Sequence, residues 1–260
     1  MHLLRPRDAL ALAALLLLGT GCSCGAPRPE PPQAQPDQGD QDDVPVTLLR
    51  VTAGPDAADQ VLEASQIPYG CAPGDRSEGS VRIGADRGLA DVIASLKRGP
   101  QLTADPPSSP PAPSDRLLRI DDCGLVPRSL AVAKGDTLVL SNGDQRFHTV
   151  HLWRLDGGRE RSLQTIALAP GEADVRFVLE QAGLYRLRSD QIPWLRGLLL
   201  VQGAGERALI TDADGTAEAS DLQPGSWDVR LIHETLGETD TTVEIAPGGS
   251  AAIYGTLPAP

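Results

Sequence analysis

What the chain lacks narrows the reading first. Beyond residues 9–18 it has no long apolar run, and a helix that crosses a bilayer core needs about 20 residues. No later segment is therefore expected to span a membrane. It has no nucleophile elbow, no phosphate-cradling glycine loop and no paired-histidine helix of the zinc proteases, so enzymes of those kinds are not expected. Gly203-Ala204-Gly205-Glu206 stands outside any strand-to-helix context and reads as a turn. Positive charge is in deficit: 23 Lys and Arg face 35 Asp and Glu, for a formal charge of −12. That balance excludes phosphate-driven nucleic-acid binding and electrostatic docking on anionic lipid headgroups. Aromatic residues make up 3% of the chain, so core side chains must come from Val, Leu and Ile in short runs, a β-like composition. Cysteine is scarce too, with four in all.

Two of these cysteines fall at the N-terminus. Arg5 and Arg7 precede the apolar run Ala9–Leu18, and Gly19-Thr20-Gly21 leads directly into Cys22. Residues 1–21 read as a signal peptide with a lipoprotein-type ending, and Cys22 as the lipidation site. Cys24 is a rival acceptor, and an ordinary secretory cleavage leaving both cysteines unmodified is the alternative. The ending resembles a lipobox but carries Gly19 where Leu is usual. Ser23, in place of the Asp of inner-membrane retention signals, points to the outer membrane. Residues 22–45 read as a disordered tether, since as far as Asp43 they are rich in Pro, Gln, Asp and Gly without a large apolar side chain. The expected location is the bacterial cell envelope, lipid-anchored on the periplasmic side. In that oxidising setting Cys71 and Cys123 are expected to form a disulfide.

Short alternating segments recur about every ten residues: 46–51, 80–83, 91–96, 117–120, 137–141, 149–153, 174–178, 183–187 and 197–201. Short strands at that spacing predict an all-β antiparallel sandwich or barrel. Residues 57–65 carry a weak pattern for one or two helical turns. Residues 105–115, with five prolines, read as an exposed loop or an interdomain strap, and residues 46–104 as an N-terminal β segment of the sandwich region. Residues 204–260 read as a second small sandwich of hairpins. Within it, Asp212-Ala213-Asp214-Gly215 is a solvated turn or, alternatively, a calcium loop lacking the spaced carboxylates and closing Glu of an EF-hand.

Cys123-Gly-Leu-Val-Pro127, Val132-Ala-Lys-Gly135-Asp136, Asn142-Gly-Asp144 and Phe147-His148-Thr-Val-His151 resemble the plastocyanin-like cupredoxins. More narrowly, they are similar to a periplasmic, methylamine-utilisation-like branch in which the cupredoxin precedes a carboxypeptidase-regulatory-like or transthyretin-like sandwich. Gly70-Cys71, Gly88-Leu-Ala-Asp91, Ile210-Thr-Asp-Ala-Asp-Gly215, Leu222-Gln-Pro-Gly225 and Ile232-His233-Glu234-Thr-Leu-Gly237 match the same branch. The resemblance implies a cupredoxin-like Greek-key β-sandwich over residues 116–203 and the regulatory-like sandwich over 204–260.

It also implies where copper ligands would stand. The first histidine position is His148; anchored on Pro193-Trp194 and Gly197, the cysteine place is Ser189, the second histidine place Ile192 and the methionine place Leu195. Thiolate and two imidazoles form the trigonal plane of such a site, with a weak axial thioether. Three of the four positions are therefore degenerate, and no cofactor is expected. The other histidines remain open as buried hydrogen-bonding groups, surface groups, or ligands of a copper or zinc site made of His148, His151, His233 and Glu234. His148 and His151, three apart on a strand, face opposite sides. Two functions stay in view: a non-catalytic binding or assembly module for an envelope protein or glycan, with the loop 189–197 and its Trp194 as contact surface, or a copper-binding electron-transfer or metal-handling protein with a non-standard histidine site.

Overall fold

A computed structural model of the chain describes residues 47–74, 76–98, 112–220, 222–248 and 250–258. The expected signal peptide, the expected acylation site at Cys22, the expected tether and most of the Pro-rich segment lie outside these residues. Eighteen strands make up the described chain. The first four are β1 (Thr47–Ala53), β2 (Val61–Leu62), β3 (Arg76–Ser77) and β4 (Ile93–Arg98). After the undescribed loop come β5 (Asp115–Asp121), β6 (Gly124–Val126), β7 (Ser129–Ala133), β8 (Thr137–Asn142) and β9 (His148–Asp156). They are followed by β10 (Arg159–Leu168), β11 (Val175–Val178), β12 (Gly183–Arg188) and β13 (Arg196–Gln202). The last are β14 (Glu206–Ile210), β15 (Thr216–Ala219), β16 (Gly225–His233), β17 (Gly237–Ile245) and β18 (Ala251–Leu257).

Two pairs of sheets follow from how these strands alternate. In the first pair a five-stranded sheet, ordered β10-β9-β12-β13-β7, faces a four-stranded one ordered β11-β8-β5-β6. Leu118 and Ile120 of β5, Leu138 and Leu140 of β8, Val150 and Leu152 of β9, and Leu199 and Val201 of β13 fill the space between them. The residues between these positions point the other way, the period of two that puts one strand face in the core. The second pair sets β14-β4-β16-β17 against β15-β1-β18, around Leu49, Val51, Ala94, Leu96, Trp227, Val229, Leu231 and Ile253. The result is an all-β sandwich architecture, as expected. It is mixed rather than wholly antiparallel, because β1–β18, β5–β8 and β7–β13 pair in parallel.

The boundary expected at residues 203 and 204 does not hold as drawn. β1 lies between β15 and β18, and β4 between β14 and β16, so residues 47–98 supply the centre of both sheets to which 206–257 belong. The five strands of 206–257 alone would leave ladder hydrogen bonds and an apolar face unpaired; the N-terminal strands supply both. Leu198 and Leu200 of β13 point away from the first core, and with Ile93 and Ile232 they form a third apolar cluster. β13 is thereby buried on both faces, which explains its unbroken Gly197-Leu-Leu-Leu-Val201 run.

Three local expectations are corrected. Residues 80–83 form no strand: the amides of Gly79, Ser80 and Val81 donate to the Asp59 carboxylate at 2.7, 3.0 and 3.0 Å, so they are unavailable to a ladder. Residues 57–65 yield only β2 and the start of a 3₁₀ turn, Ala64–Gln66, where Glu63 and Gln66 form a reciprocal capping box. β3, β6, β7 and β10 lie outside the segments that the alternation marks. The Asp212–Gly215 turn is not a hairpin: it links β14 to β15, which belong to different sheets, and the Asp212 carboxylate is consumed locally, accepting from the amides of Asp214 and Thr216 at 2.9 Å each. Gly215 has φ +75, and a Cβ there would stand 2.4 Å from the Leu89 nitrogen and the Val51 oxygen. The turn is thus pressed against β1, and only glycine fits.

Candidate functional site

The chemistry-bearing residues gather at one end of the first sheet pair. β5 turns into β6 through Asp122 and Cys123, both at positive φ (48 and 57), the backbone of a two-residue hairpin turn that usually selects Asn and Gly. Here the turn is held from outside. Cys123 is bonded to Cys71 with Cα atoms 5.6 Å apart, as the sequence predicts; its amide donates to Asp144 Oδ2 at 2.9 Å; and the Ala72 amide donates to Asp122 Oδ1 at 2.6 Å.

Asp144 is the hub of this end. Its Oδ2 also lies 2.8 Å from His148 Nε2, and both side chains are buried. Asn142 fixes the loop that carries it, accepting from the Asp144 amide at 2.9 Å and donating to the carbonyls of Arg146 and Leu168 at 2.8 and 3.0 Å. Burial holds His148 below the ordinary imidazole value, against the upward pull of Asp144 and with a smaller push down from Arg146. Cys123, Asp144 and His148 each present one donor atom, all within 4.8 Å of one another. Among the described residues this is the group of three such side chains that converges.

The other residues singled out in the sequence do not join it. His151 faces the opposite side of β9, as its spacing predicts: its Nε2 is 2.9 Å from Asp190 Oδ2 and its Nδ1 is 3.1 Å from Thr165 Oγ1. His233, at the end of β16, accepts from the amides of Thr235 and Leu236 at 3.2 Å each. Burial depresses its pKa to about 4, opposed by Asp91 and reinforced by Arg128 and Arg196. Glu234 is 2.8 Å from Arg196 Nε and 3.6 Å from Arg186 Nε. The four-member site of His148, His151, His233 and Glu234 is therefore not assembled, because each of the last three is committed to other partners.

In the loop after β12, the Ser189 hydroxyl accepts from the Gln191 amide at 3.2 Å. The loop is closed by Ser189 N to Leu195 O at 2.9 Å and Leu195 N to Ile192 O at 3.0 Å. Ile192 and Leu195 are fully enclosed in the first core. Trp194 is only 4% exposed, so the expectation that this loop presents it to a partner is corrected: the indole is packing.

Sequence reading missed the polar seam where the two sheet pairs meet. Arg196 bridges Glu234 and Glu78, the latter at 3.1 Å; Arg82 grips Asp91 through two bonds of 2.7 and 2.9 Å; and Ser129 Oγ donates to the Asp91 carbonyl at 2.6 Å. A cavity of about 430 Å³ opens beside it, lined by Arg186, Arg188, Asp190, Arg196 and Glu234 among others. The only sequence signal was charge at strand ends that also carry buried leucines.

No protein-family model matches the chain, and no curated protein does. Among solved structures, the chain is similar to a purple cupredoxin from Nitrosopumilus maritimus, at 23% identity over 33% of this chain and 98% of that one, with a TM-score of 0.28. It is also similar to amicyanin from Paracoccus versutus, at 18% identity over 36% and 84% of the two chains and a TM-score of 0.29. A copper-containing nitrite reductase from Thermus scotoductus SA-01 is similar at 16% identity, over 39% and 25%, with a TM-score of 0.29. The all-β sandwich assignment rests on the strand pairing and the cores described above.

Proposed function

We propose that this chain is a lipid-anchored protein of the bacterial envelope whose cupredoxin-like sandwich has exchanged its copper site for packing and serves as a non-catalytic binding or assembly module. In this reading the second sheet pair is a carboxypeptidase-regulatory-like sandwich, and the partner is an envelope protein or glycan close to the membrane that Cys22 anchors. The observation that carries the reading is the burial of Ile192 and Leu195 at 0% exposure in the core, at two places where the resemblance calls for donors. Type 1 copper requires a thiolate, two imidazoles and a weak axial ligand. The residues present do not fit it: the sulfur beside His148 is tied up in the disulfide, Ser189 offers a neutral hydroxyl, and Ile192 and Leu195 donate nothing.

The test is copper loading of the oxidised protein, followed by elemental analysis and a visible absorbance spectrum. No retained copper and no intense thiolate-to-copper band are expected. One tightly held equivalent with such a band would overturn the proposal in favour of electron transfer. Mass spectrometry of the envelope-extracted chain addresses the anchor separately: a diacylglyceryl-modified Cys22 is expected at the mature N-terminus, and an unmodified one counts against it.

A further inference from the structure

We propose that reduction of the Cys71–Cys123 disulfide opens a buried divalent-metal site made of the Cys123 thiolate, His148 and a carboxylate oxygen of Asp144, suited to an ion of zinc's borderline softness. The three donor atoms already lie within 4.8 Å of one another, and all three residues are buried. Zinc holds sulfur at about 2.3 Å and nitrogen or oxygen at about 2.0–2.2 Å. Donors on one tetrahedral ion therefore stand roughly 3.3–3.8 Å apart, so the sulfur must draw nearer while the 2.8 Å contact between His148 and Asp144 opens, side-chain movements of about an ångström. The scaffold is already fixed: Asn142 pins the Asp144 loop at both ends, and the Cys123 amide is tied to Asp144. Such support is what orients ligands in built metal sites. With three protein donors the fourth position is left to water or to a group from a partner.

The disulfide is the gate. In the oxidised chain the Cys123 sulfur is covalently bonded and uncharged, and only a thiolate ligates well. Cys123 is fully buried whereas Cys71 is partly exposed, so an incoming reductant meets the Cys71 sulfur. A dithiol donor attacks there as its thiolate, forming a mixed disulfide with Cys71 and releasing Cys123 as thiolate. The donor's second thiol then displaces Cys71, leaving the donor as a disulfide. Two electrons pass to the chain, the two donor protons end on Cys71 and Cys123, and Cys123 gives up its proton when the ion binds. The proposal does not depend on the binding-module role, which concerns the oxidised chain.

The test titrates zinc and cobalt(II) into the chain, oxidised and phosphine-reduced, under anaerobic conditions. The reduced chain is expected to take up one equivalent, with a thiolate-to-cobalt charge-transfer band, and to bind at least about 100-fold more tightly than the oxidised chain. Cys71→Ser leaves Cys123 free and should bind without reductant; adding His148→Ala to that variant should cost more than about 100-fold in affinity. Equal binding by the oxidised chain, or a cobalt–thiolate band that survives Cys123→Ser, overturns the proposal. So does failure of both the reduced chain and Cys71→Ser to bind, whether they stay folded or not.

Discussion

Asp144 shows how one side chain can be answerable for several others. It satisfies the buried amide of Cys123 and the buried ring of His148, in a turn where two non-glycine residues hold positive φ. Asp144→Ala leaves both donors without an acceptor, and an orphaned buried donor costs about 1–3 kcal/mol. Urea denaturation is expected to show a loss of about 2–6 kcal/mol for the two donors together, with Asp144→Asn recovering part of it by keeping one acceptor oxygen. His233 makes a pH prediction. Burial holds it near 4 in the folded chain, while an unfolded histidine titrates near 6.5. Between those values the unfolded chain binds the extra proton, so stability is intact above about pH 6.5 and falls as pH drops towards 4, by up to about 3 kcal/mol. In His233→Asn the amide oxygen can still accept from Thr235 and Leu236 but does not titrate. Its unfolding free energy should be flatter over that window, and an unchanged slope would count against His233 as the cause.

The same contrast between enclosed and open charge separates elements. The turn between β16 and β17 brings Glu234, its side chain 6% exposed, against Arg196 of β13 and Arg186 of β12. Further along the same hairpin Arg230 pairs with Glu238, each half exposed. Removing one partner of an enclosed pair leaves an uncompensated charge, whereas exposed pairs contribute about 0–1 kcal/mol. Because Arg196 keeps Glu78 and Arg186 keeps Glu160, Glu234→Ala removes charged contacts without stranding either arginine and is expected to lower stability by about 1.5–3 kcal/mol, against less than about 1 kcal/mol for Glu238→Ala, compared in one set of denaturant melts. Equal losses would show that the seam is not held by this contact. β13 belongs with it: its leucines serve two cores at once, so it couples the sheet pairs through apolar contact as well.

At the scale of the whole molecule, the second sheet pair is closed by strands from both ends of the described chain. A fragment of residues 204–260 lacks β1 and β4 and is expected to show no cooperative unfolding by circular dichroism; a cooperative melt would mean that the hairpins suffice. The disulfide closes a separation of 52 residues, for which the chain-entropy relation gives about 4 kcal/mol. Reduction should lower the unfolding free energy by that order, and zinc should restore part of the loss if the reduced site forms, since a ligand that binds only the folded state stabilises it.

What the sequence determined by itself was local. Val, Leu and Ile alternating at period two marked most strands of the first sheet pair, and the 197–201 segment marked a strand whose burial on both faces only the third apolar cluster reveals. The cysteine arithmetic left Cys71 and Cys123 as partners, and the three-residue spacing put His148 and His151 on opposite faces. Tertiary structure decided what depends on contacts far apart in the chain. The role of residues 47–98 was invisible because a strand's pattern says which face is apolar, not which strand it joins. Residues 80–83 alternate like a strand, but Asp59 takes their amides. Trp194 sits on a loop yet packs inward, since burial follows from what lies above a residue. The meeting of Cys123, Asp144 and His148 likewise required the β5–β6 turn to fold against the β8–β9 loop, and only that packing brings a sulfur, an oxygen and a nitrogen to one place.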